Sequence, residues 1–181
     1  MPSSAADVLR LLRANQLEDM WEDNKKPSIV GTLNAGIGAA KRNYPPNTYV
    51  GPSGKPGICD TVVGKKWIEV KAAWTYKDLV GQERNGNLVK HLFTESESAV
   101  KDVRIKLSSL LNHHDVEFVG FLLVCFWSTT HLFEQRLIQR LIDEGGLALD
   151  WVEYKTDPWQ PENTDLWIQL HYWERASSPQ T

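Results

Sequence analysis

The stretch GICDTVVGKKWIEVKAAW, residues 57–74, decides the fold. Its Val, Ile, Thr and Trp residues favour extended chain on either side of Gly64-Lys65. A two-residue turn there suits a type II′ hairpin, which takes Gly first. That register sets Val63 opposite Lys66, Val62 opposite Trp67, Thr61 opposite Ile68 and Asp60 opposite Glu69. Directly opposed residues share a face of the sheet, with Cβ atoms about 5 Å apart. Glu69 and Lys71, two apart, share that face too, while Ile68, Val70 and Ala72 point the other way. The hairpin therefore gathers Asp60, Glu69 and Lys71 on one patch. A three-residue turn would set Asp60 opposite Val70, and a bulge would then be needed to restore the cluster.

Two facing carboxylates repel each other unless a cation sits between them. Mg²⁺ takes oxygen ligands, often one or two carboxylates completed by water and substrate phosphate. A lysine ammonium beside such a site orients an attacking water or helps deprotonate it. The competing reading is a solvent-facing hairpin with a surface ion pair to Lys71, worth under about 1 kcal/mol.

Outward from the hairpin, the pattern alternates helix and strand. Upstream, residues 5–22 and 32–43 predict two helices, the second weakened by Gly36 and Gly38. Residues 44–57, YPPNTYVGPSGKPG, read as a loop rich in Pro and Gly. Downstream, residues 75–87 read as a connecting excursion. Thr94 and Glu97 form a capping box ahead of an amphipathic helix over 95–112, with Val100, Val103, Leu107, Leu110 and Leu111 on its apolar side. Residues 117–127, EFVGFLLVCFW, lack polar alternation and predict a central strand covered on both faces. A helix over 131–146 stops at Gly145-Gly146, and 147–155 and 165–173 predict two more strands. With no internal repeat and no long linker, the expectation is one α/β domain over 1–181, a central mixed β-sheet flanked by helices. Its core is 57–127, with N-terminal helices in 5–43 and a C-terminal helix and strands in 131–173.

Composition narrows the class. Of 181 residues, 41% are hydrophobic, enough for a folded domain with a real core. The two cysteines, Cys59 and Cys125, form no CxxC pair, which disfavours a disulfide framework or a Cys-rich zinc site and fits a reducing compartment. The N-terminus carries no signal-peptide pattern, and the apolar run 118–127 is too short to span a bilayer. The expected location is cytoplasmic, without a membrane. Net charge is −3, yet residues 25–71 hold eight basic side chains against two acids, Asp60 and Glu69. A positive field of that kind attracts a polyanion despite the acidic total. The alternative is a solvated face balanced by the acidic segment 140–181.

Asp60, followed nine residues later by Glu69-Val70-Lys71, resembles the PD-(D/E)XK nuclease superfamily, which includes many type II restriction endonucleases. In that pattern the Asp opens one strand of a hairpin and the (D/E)XK triplet lies on the next. A helix and a buried strand follow, as 95–112 and 117–127 do here. The resemblance covers roughly 57–127. Cys59 stands where the family pattern has its Pro. The resemblance implies a restriction endonuclease-like fold and Mg²⁺-dependent phosphodiester hydrolysis, with Asp60 and Glu69 as metal ligands and Lys71 as the catalytic lysine. Many members add an acid from the first helix. Glu18 and Glu22 lie one turn apart there, and Glu22 is the candidate carried forward.

Other groups carry weaker signals. His113 and His114 follow a helix, where facing solvent competes with metal ligation or base chemistry. GTLNAGIGAAKR (31–42) lacks the GK[ST] of a P-loop. Trp67, Trp74 and Tyr76 straddle the hairpin and would stack on bases or pack in the core. Lys65 and Lys66 at the turn, and Lys101 and Arg104 on one face of the following helix, are candidate phosphate contacts.

The sequence thus predicts a Mg²⁺-dependent endonuclease acting on double-stranded DNA, of the restriction type. Cutting both strands requires two sites, so a homodimer is expected. A repair or recombination nuclease, such as a junction resolvase, keeps the site but changes the substrate. A non-catalytic DNA-binding subunit would make the three side chains incidental.

Overall fold

The computed structural model describes residues 48–50, 54, 56–63, 65–74, 97–127, 132–148, 150–160 and 167–177. The expected helices over 5–22 and 32–43, with Glu18 and Glu22, lie outside these residues, as do Thr94 and the 75–87 connection. The elements in chain order are β1 (Thr48–Val50), β2 (Pro56–Ile58), β3 (Thr61–Val63), β4 (Lys66–Trp74), α1 (Glu97–Leu111), β5 (Phe118–Trp127), α2 (Leu132–Asp143), β6 (Val152–Lys155) and β7 (Trp167–Ala176).

Five strands form one mixed sheet in the order β3-β4-β5-β7-β6. Only β4 and β5 run parallel; the other neighbours are antiparallel. A parallel pair cannot close through a tight turn, and the chain between these two strands includes α1. The fully apolar β5 lies at the centre, between β4 and β7, as its lack of alternation requires. Residues 44–57 are not all loop. Thr48–Val50 pairs antiparallel with Pro56–Ile58 in a separate two-stranded ribbon. Gly54, at φ 73°, lies within the connection. The β propensity of Thr-Tyr-Val outweighs the loop composition around it. The strand expected over 147–155 is confined to its last four residues.

Both helices cover one face of the sheet. Strand register places Trp67, Glu69, Lys71 and Ala73 on that face with Val119, Phe121, Leu123, Cys125 and Trp127. Val100, Val103, Leu107 and Leu110 of α1, and Leu137 and Leu141 of α2, join these residues in a single apolar core. The core-facing positions of α1 recur at the three- and four-residue steps that make one side of a helix, leaving Lys101, Asp102, Arg104 and Ser108 exposed. His113 N–H bonds the Leu110 carbonyl at 3.0 Å and closes the last turn. α2 ends where Gly146 takes φ 85°, a left-handed conformation that suits glycine. The other sheet face is buried as well, through Ile68, Val70, Leu122, Val124, Ile168, Leu170 and Tyr172. Both cysteines are buried thiols outside any disulfide. Among the described residues, no helix is long and apolar enough to cross a membrane.

Gly120 marks the tightest contact on that second face. A Cβ there would lie 2.5 Å from Tyr172 Oη and 3.0 Å from Ile68 Cγ1. Tyr172 is fully buried and donates to Glu174 Oε2 at 2.7 Å, so its ring cannot swing aside without breaking that bond. Gly120→Ala is expected to destabilise the fold by roughly 1–3 kcal/mol, the usual cost of overpacking. Urea denaturation of the variant checks this, and an unchanged midpoint would contradict the packing described.

Candidate active site

The β3–β4 register is the one the two-residue turn demands: Val63 pairs with Lys66, Val62 with Trp67 and Thr61 with Ile68. β3 then stops, and Asp60 lies in a bend one residue before it rather than inside the strand. Its carboxylate takes over the edge of β4, where Asp60 Oδ2 accepts the Val70 N–H at 2.9 Å. One step back along β4, Glu69 lies on the helix-covered face at 1% exposure. Lys71 follows on the same face, with its Nζ 3.1 Å from Glu69 Oε1. Asp60, Glu69 and Lys71 are thus brought together.

A fourth side chain joins them. Lys106, from α1, reaches Glu69 Oε1 at 2.9 Å and lies 3.7 Å from Asp102 one turn earlier. The sequence points instead to Lys101 and Arg104 of the same helix, as phosphate contacts. The helical period holds a signal for Lys106. Lys106 is four residues before Leu110, hence about 40° around the helix from a fully buried position. It lies on the border of the apolar stripe, not on the solvated side with Lys101.

The electrostatics fit a cation site. Asp60 is pushed up from 3.8 to about 6 by burial, and next by the nearby Glu69 charge. The Val70 N–H, Lys71 and Lys106 pull the other way without overcoming these two effects. Burial opposes the charge on Lys106, but attraction to Glu69 and the hydrogen bond to it outweigh that penalty and raise its pKa above the ordinary lysine value. Glu69 Oε1 accepts from Lys106 and lies 3.1 Å from the Lys71 ammonium, while Glu69 Oε2 is buried with no hydrogen-bond partner among the described residues. A buried carboxylate oxygen left unbonded carries a desolvation cost that a cation would remove. Two neighbouring carboxylates, one with an unbonded oxygen, are a donor set suited to a hard divalent ion such as Mg²⁺.

A stability effect follows from the Asp60 shift. Its carboxyl titrates higher in the folded chain than in the unfolded one. The protonated group therefore favours folding below about pH 4, and that contribution is lost as the pH rises through about 6. Asp60→Asn removes the charge but keeps an oxygen for the Val70 N–H. In the absence of divalent metal, this variant is expected to be more stable than wild type at pH 8, by up to about 3 kcal/mol. Thermal melts at pH 4 and pH 8 in EDTA check it; equal melting of the two proteins at pH 8 would contradict it.

The remaining candidates are dispersed. Lys66 lies on the opposite sheet face from Glu69 and pairs with Glu174. Lys65 is exposed and paired with Glu117. Lys101 and Arg104 are exposed on α1, and the Arg104 stem runs beside Gly146 at the end of α2. Trp67 is core, with its ring 4.7 Å from that of His113. His113 is half-buried, whereas His114 is exposed. Ligand atoms of His113, His114 and Asp115 lie within 4.8 Å of one another. That nitrogen-rich, largely exposed set suits softer transition ions rather than Mg²⁺.

Comparison of the chain with models of known protein families, with curated proteins and with solved structures finds no match.

Proposed function

We propose that the protein is a Mg²⁺-dependent endonuclease that hydrolyses phosphodiester bonds in double-stranded DNA, with a restriction endonuclease-like fold. The observation that carries this reading is the unbonded, buried Oε2 of Glu69 beside Asp60, with the Lys71 ammonium on the same face. Asp60 and Glu69 would hold Mg²⁺, which when bound supplies polarisation of the scissile phosphate and a lowered pKa for a coordinated water. The Lys71 ammonium orients the attacking water and offsets charge that builds on the phosphate oxygens. The placement of Asp60 and Glu69 between β3, β4 and α1 keeps both carboxylates partly out of water, which strengthens each of these interactions. Cleavage of both strands would use two copies of the chain related by a two-fold axis.

The test is incubation of purified protein with mixed plasmid DNA, with and without Mg²⁺, followed by end mapping. Discrete ends that require Mg²⁺ support the restriction-type reading. Cleavage confined to branched substrates would move the assignment to a junction-resolving nuclease. Mg²⁺-independent DNA binding without any cleavage would leave a non-catalytic subunit.

A further inference from the structure

Glu69 is supplied with more positive charge than the hairpin alone would give it. A buried carboxylate needs one close counter-charge, and Lys71, two residues along the same strand, already provides it at 3.1 Å. Lys106 comes from a separate element and lies closer, at 2.9 Å, on the same oxygen. It is held by a 15-residue helix whose neighbouring positions Val103 and Leu107 are locked in the core. The ammonium of Lys71, in contrast, has two tasks that conflict if it acts alone. It cannot both neutralise Glu69 and leave that carboxylate to meet a reacting water.

We propose that Lys106 is a positioning residue of this site: it clamps Glu69 Oε1, so that Oε2 stays available to a cation and Lys71 is released for the attacking water. The role given to Lys71 rests on the nuclease reading; the clamp on Glu69 does not. Without Lys106, Lys71 becomes the one ammonium of this pair left to neutralise Glu69 Oε1, and is pinned there. The site also loses a positive charge that repels an incoming divalent ion. The two consequences have opposite signs in an assay: metal binds more tightly and the reaction slows.

The test uses the full-length chain carrying Lys106→Met or Lys106→Arg, with Mn²⁺ as the binding probe read by electron paramagnetic resonance. At pH 8 the Met variant is expected to bind Mn²⁺ roughly tenfold more tightly than wild type. At saturating Mg²⁺ its plasmid-cleavage kcat is expected to fall roughly 30-fold with KM for DNA unchanged. Lys106→Arg, which keeps the charge, returns both quantities toward wild type. A structural ion pair would change the melting temperature without this split. Should the Met variant fail to fold, Lys106→Gln, which keeps a polar head without the charge, carries the same measurements. Wild-type Mn²⁺ affinity and wild-type kcat in a folded, uncharged variant overturn the proposal. If wild type binds Mn²⁺, cleaves nothing, and the Met variant still binds more tightly, the clamp stands and the nuclease reading falls. If wild type binds no Mn²⁺, both fall.

Discussion

Lys71→Ala is expected to lose cleavage by roughly 100-fold or more while retaining Mg²⁺ and DNA binding. In the proposed mechanism the ammonium acts on water and on developing charge, so it would contribute to the reaction more than to either ground-state complex. Its removal from Glu69 is buffered, because Lys106 remains 2.9 Å from the same oxygen. The variant should therefore stay folded, and single-turnover cleavage on a supercoiled plasmid reads the chemistry alone. Excess Mg²⁺ should not restore the rate, since the missing part is not the metal. A folded Lys71→Ala protein that cleaves at the wild-type rate would remove this lysine from the mechanism.

Asp60→Asn and Glu69→Gln should fail differently. Each replaces a carboxylate oxygen by a neutral amide, a poorer partner for a hard dication. Mg²⁺ affinity is expected to fall by roughly tenfold or more, and cleavage at low Mg²⁺ with it. Raising Mg²⁺ should recover part of the activity of Asp60→Asn, whose remaining partner Glu69 is intact. Glu69→Gln should recover less, because it also leaves Lys71 and Lys106 facing a neutral group inside a largely buried site. Activity measured across a Mg²⁺ series for the three variants separates ligand from ammonium. Identical Mg²⁺ dependence in all of them would contradict the assignment of roles.

Much of this arrangement is legible in the chain because strand geometry is strict. Once the chain turns back after Val63, its pairing with Lys66 fixes the partner of every later residue, and side chains two apart must share a face. The central position of β5 follows from a strand with nothing polar to show to water. Three features were harder to read. Thr48–Val50 is strand despite the Pro and Gly around it, because a three-residue segment gives no period to count. Asp60 lies in a bend rather than in a strand, and its side chain bonds the edge of β4. Lys106 became part of the site through the packing of α1 onto the sheet. No local pattern tells which sheet residue a helix border will meet.

The most direct measurement is calorimetric titration of the metal-free protein with Mg²⁺ at pH 6 and pH 8, each in buffers of different ionisation enthalpy. With Asp60 titrating at about 6, ion binding between Asp60 and Glu69 must displace its proton. The account predicts one strong site per chain, release of about half a proton at pH 6 and almost none at pH 8, and loss of that release in Asp60→Asn. No binding at pH 8, or proton release that persists unchanged in Asp60→Asn, would contradict the metal site on which the whole reading stands.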